Sequence, residues 1–325
     1  MGKRGPKRGS RSFWHRARAH RIAPRIRAWA APSIANAGLQ AFPGFKAGMT
    51  RVIMVDDSEA MTKGQEVSRA VTVVETPPVF VYSVVFYEAT PFGLKRMGEV
   101  VAPNAPKEAA RVKPNTKKTK KIIEDFEKRV SEIAEVRVTL CTQPRKSGVG
   151  NKTPNFFESA VGGKTPAEQL AAAAAILGKE VKVGDVLKDG SLVDAIAVTT
   201  GYGWQGVVKR MGVALGPRKA TKSRRHGGSL GAERPAKISY RIPRAGQMGF
   251  HRRTERGKRV MRVLHDAKEV SENGAIAHYG LLRGDYLLME GSIPGPSKRL
   301  IVFRKPLRHF VEKKPELKLI VKQNS

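Results

Sequence analysis

Hydrophobic and polar residues alternate in short stretches along most of the chain, and these stretches predict a mainly β body. Strands are predicted over residues 51–55, 67–74, 79–87, 136–142, 181–187, 191–198, 260–265, 275–280, 285–290 and 300–304. Turn signals such as Asp56-Asp57-Ser58 and Lys63-Gly64 separate the strands at close spacing. Many short strands with closely spaced turns are typical of a small barrel or sandwich.

Helical spacing replaces this alternation in residues 103–180. Apolar residues recur three or four positions apart over residues 116–133, with Lys and Glu opposite them, which predicts a helix. A second helix is predicted to begin at Thr165-Pro166 and to end before Gly178, because Thr is a favoured cap and Pro suits the first turn. We therefore expect an α/β insertion in the β body.

Two segments lack a sustained hydrophobic period and carry most of the net charge of +33. Residues 1–51 contain 12 Lys or Arg and no acid, and residues 206–262 contain 17 Lys or Arg and two acids. Charges this dense repel one another, so such segments stay loose unless an anion neutralises them. Arginine forks fit phosphate, so the two segments predict polyanion binding rather than solvated loops. The lysines of residues 117–121 are better explained as a solvated helix face than as an RNA contact.

The charge and hydrophobic patterns together divide the chain into five parts. These are a basic N-terminal arm (1–42), a β body (43–102, 181–205 and 263–310), an α/β insertion (103–180), a basic central extension (206–262) and a C-terminal tail (311–325). The central extension is an excursion between two strands of one body. The tail has no packing signal beyond Leu317, Leu319 and Val321.

Basic clusters of the N-terminal arm alternate with aromatic residues, a pattern typical of RNA-binding extensions. Its RNA-binding candidates are Lys3, Arg4, Lys7, Arg8, Arg11, Trp14, Arg16, Arg18, Arg21, Arg25 and Arg27. Trp14 and Trp29 could instead anchor the arm to the body, and the two roles are compatible. The charge pattern of the central extension adds Arg218, Lys219, Lys222, His226, Arg253, Arg256, Lys258 and Arg259.

Catalytic and metal chemistry find no support in the sequence. The single cysteine, Cys141, excludes an internal disulfide and a cysteine-cluster zinc site, and the seven His residues show no metal-ligand spacing. The glycines of residues 201–206 match a dinucleotide or kinase loop, but the required helix, acid and catalytic motifs are missing. Residues 162–165 resemble the end of a P-loop, but Glu158 occupies the position of its first glycine. We predict no enzyme activity, no cofactor and no metal.

The sequence also indicates a cytoplasmic protein without a membrane partner. No stretch approaches the roughly 20 apolar residues of a membrane helix. No apolar core follows the basic N-terminus, as a secretory signal would require. Use of a single cysteine fits a reducing compartment.

Six segments, taken in order, carry a resemblance to a known family. They read Phe-Lys-Ala-Gly-Met-Thr (45–50), Ala-Val-Thr-Val-Val-Glu-Thr-Pro-Pro (70–78), residues 199–210 with Lys209-Arg210, Gly-Ser-Leu-Gly (228–231), residues 245–254 and residues 291–296. Together they resemble the universal large-subunit ribosomal protein three family in its archaeal-eukaryotic form. At the extension tip, where archaeal and eukaryotic relatives usually have Trp after Leu-Gly-Pro, this chain has Ala232 and Glu233.

The resemblance implies a fold and a set of contacts. The fold is mainly β with an α+β insertion, a translation-protein-like β-barrel carrying long basic extensions that thread into large-subunit rRNA. The central extension would reach towards the peptidyl transferase centre, and the body would take part in early subunit assembly. The RNA contacts implied by match are Trp204, Gln205, Lys209, Arg210, Arg224, Arg225, Arg244, Gln247, His251 and Arg252. Gln247 stands where some bacterial relatives carry a methylated glutamine.

The sequence therefore predicts a structural constituent of the large ribosomal subunit. Its partners would be large-subunit rRNA and neighbouring ribosomal proteins, with no small-molecule substrate. Two alternatives stay open from the residues alone: a nucleic-acid-binding protein outside the ribosome, such as a DNA-packaging protein, and an RNA-modifying enzyme whose arms hold its substrate. The enzyme would need a cofactor pocket in the body, for which the sequence has no motif.

Overall fold

The computed structural model describes residues 15–30, 38–113, 123–220, 224–234, 236–308 and 313–322. These residues divide into two compact units. We call the described parts of residues 22–197 and 253–325 the larger unit. The described parts of residues 1–21 and 198–252 form the smaller unit. The larger unit is built mainly from β-strands, whereas the described residues of the smaller unit are mostly irregular.

One sheet of the larger unit contains seven strands. They are β2 (Ala41–Val55), β3 (Glu66–Glu75), β9 (Leu192–Val198), β12 (Arg252–Leu264), β15 (Tyr286–Glu290), β16 (Leu300–Arg304) and β17 (Leu317–Val321). Neighbouring strands follow the order β16-β9-β12-β15-β3-β2, and β16 also pairs with β2, so six strands close into a ring. Because β2 is 15 residues long, it pairs with β16 near its start and with β17 near its end.

A second sheet of the larger unit contains six strands and carries most of the predicted insertion. Its strands are β1 (Gly38–Leu39), β4 (Val79–Thr90), β5 (Gly93–Val101), β6 (Glu135–Cys141), β7 (Phe156–Gly162) and β8 (Glu180–Val181). The order is β1-β7-β6-β4-β5, and β8 pairs with β4. A hairpin of β13 (Ala275–Ile276) and β14 (Gly280–Leu281) completes the strands of this unit.

Two helices of the larger unit pack through named contacts. In α1 (Ile123–Glu127), Phe126 is buried and stacks on Phe86 of β4 with ring centroids 4.1 Å apart. In α2 (Pro166–Ile176), the buried Gln169 accepts a 3.1 Å hydrogen bond from the backbone N–H of Val136 in β6. The Thr165 side chain caps α2 by accepting from the N–H of Glu168, as the sequence predicts.

The apolar face of the ring strands forms the core of the larger unit. Phe42, Leu287, Met289, Ile301 and Phe303 are among the side chains that are fully buried there. Each belongs to a strand that the alternation pattern predicts or to its direct extension. Burial of large side chains contributes roughly 1.5–3 kcal/mol each to folding, so this core dominates the stability of the larger unit.

Most predicted strands are confirmed, and several are longer than predicted. The strands predicted at 67–74, 136–142, 191–198, 285–290 and 300–304 agree with β3, β6, β9, β15 and β16 to within one residue at each end. The strand predicted from residue 51 begins ten residues earlier, at Ala41. The strand predicted from residue 260 begins at Arg252, within the stretch predicted to be the central extension.

Three predicted elements are wrong in extent or type. The helix predicted over 116–133 is helical only from Ile123 to Glu127 among its described residues. A 3₁₀ turn, Val130–Glu132, follows because the chain must turn into β6 at Glu135. The strand predicted over 181–187 is a strand only at Val181, in β8, and a 3₁₀ turn follows at Val183–Asp185. In this turn the Asp185 carboxylate accepts from the N–H of Lys182 at 3.1 Å. The strand predicted over 275–280 is a short hairpin.

Candidate nucleic-acid interface

The smaller unit contains a two-stranded ribbon that the sequence did not predict. Strand β10 (Gly201–Gln205) pairs with β11 (Gly246–Gly249), and Trp204 lies opposite Gln247. Gly249 has φ of +72°, and a Cβ there would lie 2.0 Å from the carbonyl oxygen of Thr200, so only glycine fits. Trp204 is 77% exposed, which leaves its indole ring accessible to a partner.

A short helix packs beside this ribbon. In α3 (Val207–Met211), Val207 and Met211 are buried at the four-residue spacing of one helix face. Arg210 donates from Nε to the carbonyl of Gln247 and from Nη1 to the carbonyl of Arg244, both at 3.0 Å. Burial, and then the nearby Arg16, hold the pKa of Arg210 below its usual value. Arg210 thus fixes α3 to Gln247 in β11 and to Arg244, two residues before β11 begins.

Lys209 and Gln205 lie on the exposed side of the same region. The Lys209 ammonium lies 5.5 Å from the centre of the Tyr202 ring, within cation–π range. Gln205 donates to the carbonyl of Tyr202 at 2.6 Å. Gln247 donates to the carbonyls of Met248 and Gly249 at 3.3 and 3.1 Å. The side chains of Gln205, Lys209 and Gln247, which the sequence predicted to contact RNA, therefore also interact with neighbouring residues of the smaller unit.

The described end of the N-terminal arm packs within the smaller unit. The N–H of Ala19 donates to the carbonyl of Phe250 at 2.8 Å. The His251 ring, which is buried, donates from Nδ1 to the carbonyl of Ala17 at 2.9 Å, because a carbonyl can only accept. His251 therefore fastens the arm, whereas the sequence predicted an RNA contact. Arg16 is half-buried, and Arg18 and Arg21 are exposed.

The excursion between α3 and β11 has no helix or strand among its described residues, 212–220, 224–234 and 236–245. A hydrogen bond of 2.9 Å from the N–H of Gly216 to the carbonyl of Arg224 closes a small loop. The predicted basic residues on this excursion are exposed: Arg218, Lys219, Arg224, Arg225, His226 and Arg244. Across residues 198–252 the sequence contains 12 Lys or Arg and one acid, Glu233.

The remaining predicted residues on β12 lie in or beside the larger unit and differ in exposure. Arg253 and Arg256 are exposed, and Arg252 is half-buried. Lys258 pairs with Glu255 at 2.9 Å.

Arg259 forms the most complete ion pair of that strand. Its Nη1 and Nη2 donate to the two carboxylate oxygens of Asp57 at 3.0 and 2.5 Å. Its Nε and Nη2 also donate to the carbonyl of Lys313, at 3.0 and 2.6 Å. The hydrogen bond from Arg259 holds the pKa of Asp57 below its usual value. Arg259 therefore serves the fold of the larger unit rather than a surface.

The arm residues within the larger unit combine anchoring and exposure. Arg25 and Arg27 are exposed, whereas Ile26 and Ala30 are buried. Trp29 packs against the core, which supports the anchoring role that the sequence left open. Arg304 donates to the carbonyl of Ala28 at 2.6 Å and fixes the segment further.

Some predicted residues lie outside the described part of the chain. They are Lys3, Arg4, Lys7, Arg8, Arg11, Trp14 and Lys222, together with the whole lysine cluster at 117–121.

Sequence reasoning missed four exposed residues of the excursion: Arg234, Lys237, Tyr240 and Arg241. Tyr240 stacks on His15 with ring centroids 5.5 Å apart, and the Arg241 guanidinium lies 5.5 Å from the Tyr240 ring. The signal that could have found them is the one used for the N-terminal arm, an aromatic residue between basic residues.

No group of three or more His, Cys, Asp or Glu within the described residues is placed to hold a metal ion. No helix in the described part of the chain is both long and apolar enough to cross a membrane. Cys141 is buried in β6, and burial raises the pKa of its thiol to about 12.

Comparison with known proteins identifies the family. The family described as ribosomal protein L3 matches residues 1–323. The chain is 44% identical to the large ribosomal subunit protein uL3 of Methanothermobacter thermautotrophicus over 311 residues, which cover 93% of this chain and 92% of the relative. It is 41% identical to that of Methanothrix thermoacetophila over 327 residues, covering 98% and 97%. A third relative, from Caldivirga maquilingensis, is 44% identical over 315 residues, covering 93% and 90%. The chain therefore belongs to the ribosomal protein L3 family.

Proposed function

We propose that the chain is a structural constituent of the large ribosomal subunit, located in the cytoplasm, that binds large-subunit rRNA through its basic segments. Its relatives are named as large-subunit proteins, and the six segments that resemble this family lie in the same order along the chain. Family membership also agrees with the expectation that the chain is not an enzyme.

The observation that carries the proposal is the charge of the smaller unit. Residues 198–252 contain 12 cations and one acid, and most of the described cations are exposed on an excursion without regular structure. An ordinary surface mixes both signs of charge, whereas this long irregular segment is almost entirely positive, with Glu233 as its one acid. RNA phosphates are a partner that would neutralise it and release bound counterions.

The aromatic residues add a second kind of contact. Trp204 and Tyr240 are exposed, and the Arg241 guanidinium lies 5.5 Å from the centre of the Tyr240 ring, so bases can stack on exposed rings while nearby cations meet phosphates. His251 and Arg210 act differently in this proposal, since they hold the arm and α3 in place and position the residues that touch RNA.

The larger unit has a positioning role in the same proposal. We take its closed ring of six strands as the predicted translation-protein-like barrel and its second sheet with α1 and α2 as the α+β insertion. The chain leaves this ring for the smaller unit at the end of β9 and returns to it at the start of β12. Support of early subunit assembly, proximity to the peptidyl transferase centre and contacts with neighbouring ribosomal proteins are parts of the proposal that rest on the family.

Two measurements test the proposal. We expect the protein to sediment with large subunits through high-salt gradients, which a nucleic-acid-binding protein outside the ribosome would not do. We also expect affinity for a large-subunit rRNA fragment to fall by about 10³-fold or more between 50 and 200 mM salt, as for roughly 6–10 phosphate contacts. Affinity independent of salt would rule out the phosphate mechanism.

A further inference from the structure

The smaller unit contains a cavity of about 830 Å³. Three separate parts of the sequence line it: residues 15–17 of the N-terminal arm, residues 210–211 of α3 and residues 237–245 before β11. The volume lies within the range of about 300–1,000 Å³ that is usual for small-molecule sites. The cavity is therefore large enough for one nucleotide.

Cations surround this cavity. Arg16, Arg210, Lys237 and Arg244 all contribute to its lining, and no described residue of the lining is an acid. The hydrogen bonds from Arg210 to the carbonyls of Gln247 and Arg244 hold its guanidinium in a fixed position. Arg16 lies close enough to help lower the pKa of Arg210, so positive charge from two distant parts of the chain converges here. An anion bound in the cavity would be stabilised by all four groups.

The rest of the lining is apolar and aromatic. Met211 is 1% exposed, and Ile238, Ile242 and Ala245 add aliphatic surface. Tyr240 belongs to the lining, its ring stacks on His15, and the residue stays 49% exposed. Apolar surface offers no hydrogen bond or charge to a phosphate group, but the face of a base can pack against it.

We propose that this cavity binds one unpaired nucleotide of an RNA strand. The base stacks on Tyr240 over the aliphatic lining, and the adjoining phosphates meet Arg16, Lys237 and Arg244. A duplex keeps its bases stacked inside, so it can meet the cations but cannot fill an apolar cavity. This inference rests on the proposed function and deepens it, since it names the form of RNA that the site takes.

The test compares binding of two RNAs of about 12 residues per strand to the full chain: single-stranded oligouridylate and a duplex. In Tyr240→Ala, we expect affinity for oligouridylate to fall about 5- to 150-fold, the equivalent of roughly 1–3 kcal/mol per stacked base. Affinity for the duplex should change less than twofold. Tyr240→Phe keeps the ring and should bind oligouridylate like the parent.

A charge control separates the cavity from general attraction. Lys237→Gln removes a cation of the cavity, and Arg225→Gln removes an exposed cation of the same excursion that does not line it. We expect Lys237→Gln to weaken oligouridylate more than the duplex, and Arg225→Gln to weaken both equally. Oligouridylate containing 4-thiouridine should cross-link under ultraviolet light to the peptide that contains Tyr240, as located by mass spectrometry.

The outcomes distinguish this inference from the proposed function. If the parent binds both RNAs and Tyr240→Ala binds oligouridylate as tightly as the parent, the nucleotide site is wrong and the proposed function stands. Equal losses on both RNAs would also overturn the nucleotide site, because they would indicate a phosphate contact only. If the parent binds neither RNA, the proposed function fails and this inference fails with it.

Discussion

Arg304 and Arg225 carry the same guanidinium group, but the larger and smaller units place it in opposite surroundings. Arg304 is 5% exposed as a side chain and meets Asp194, itself 2% exposed, at 2.5 Å. Arg225 is exposed on an excursion whose sequence offers one acid among many cations. The buried guanidinium of Arg304 is thus neutralised by a carboxylate within the protein, whereas the exposed cations of the excursion share their sequence with a single acid.

The two units also differ in how much they bury. The larger unit has an extended core that includes the inner faces of the ring strands. Among its described residues, the smaller unit has one small cluster, centred on Val207 and Met211. A segment with few buried apolar contacts has low local stability and can adjust to a partner. The difference implies that stability and RNA binding can be changed separately by mutation.

The largest effect is expected from Asp194→Ala in the larger unit. The Asp194 carboxylate accepts from Arg304 and, at 3.2 Å, from the N–H of Gly257. Its loss leaves a buried guanidinium without its counter-charge, which typically costs about 3–5 kcal/mol. We expect the free energy of unfolding, measured with urea, to fall by that amount. RNA affinity at temperatures where the variant is folded should stay within about twofold of the parent.

A matched double variant tests the reason for that loss. Replacing the pair by apolar residues, Asp194→Leu with Arg304→Met, leaves no buried charge, and such replacements are often neutral or stabilising. Some cost should remain because Arg304 also donates to the carbonyl of Ala28. A double variant less stable than Asp194→Ala would show that packing, not the unpaired charge, sets the cost.

The next prediction concerns the smaller unit, where substitutions should change RNA affinity but not the stability of the fold. Replacing Arg218, Lys219, Arg224 and Arg225 together by Gln removes four exposed cations. Since each phosphate contact contributes about 0.7–0.9 to the slope of log affinity against log salt, the slope should become shallower by about 3. The midpoint of urea unfolding should not change. Salt titrations of binding to an rRNA fragment give the measurement.

The control removes the same charge from the larger unit. It replaces four exposed cations there by Gln: Arg111, Lys128, Lys152 and Lys188. If net charge alone attracted RNA, both variants would lose affinity and slope equally. We expect the control to keep most of the parent's slope.

The strands that sequence reasoning placed correctly are those whose pattern is local. β3, β15 and β16 have β-branched or apolar residues at nearly every buried position, and turn residues bound them. The cap of α2 at Thr165 is equally local. In each case the residues that decide the structure lie within about ten positions of one another, so the sequence could be interpreted without knowledge of the fold.

The elements that were missed depend on partners far away in sequence. β17 is mostly exposed and has no clear alternation, and it is a strand because the end of β2 offers it an open edge. β10 and β11 are separated by the whole excursion, and each contains two glycines, which weaken a strand signal. The first residues of β12 include several cations, so the sequence assigned them to the basic extension. They form a strand because β12 pairs with its neighbours in the ring.

The candidate site was predicted in composition but not in geometry. The counts of Lys and Arg located the two basic segments that we propose to bind RNA. The counts could not reveal that His251 and Arg259 form their hydrogen bonds with other residues of the protein, because both are basic residues in a basic sequence. They also could not bring residues 15–17 and 237–245 to one cavity, since that depends on tertiary packing.

A smaller effect, dependent on pH, is expected at Tyr279 in the larger unit. Its hydroxyl donates to the fully buried carboxylate of Glu75, which also accepts from the N–H groups of Gly148 and Arg283. A hydrogen bond to a charged group contributes about 1.5–3 kcal/mol, so Tyr279→Phe should lower the free energy of unfolding by that amount at neutral pH. RNA binding should be unaffected.

The pH dependence follows from the pKa of Tyr279, which burial, and then Glu75, raise above its usual value. The folded protein keeps the proton that the unfolded chain loses above about pH 10, so the contribution of Tyr279 is complete below that pH and falls above it. The difference between parent and Tyr279→Phe should therefore shrink between pH 9 and 11. A difference that grew over this range would contradict the protonated hydroxyl as the donor.

The smallest effect is expected at the exposed ion pair of Glu108 with Arg145 in the larger unit. This pair tests whether Asp194 stabilises the fold because it has a partner or because it is buried. Glu108 accepts from Arg145 at 2.9 Å, and both side chains are partly open to solvent. Exposed pairs contribute about 0–1 kcal/mol, so Glu108→Ala should change the free energy of unfolding by no more than that. A double-mutant cycle with Arg145→Ala isolates the pair, and its coupling should weaken further in high salt. A coupling near that of Asp194 with Arg304 would mean that pairing itself stabilises this unit. A small coupling would mean that burial, rather than pairing itself, makes the Asp194–Arg304 pair important for stability.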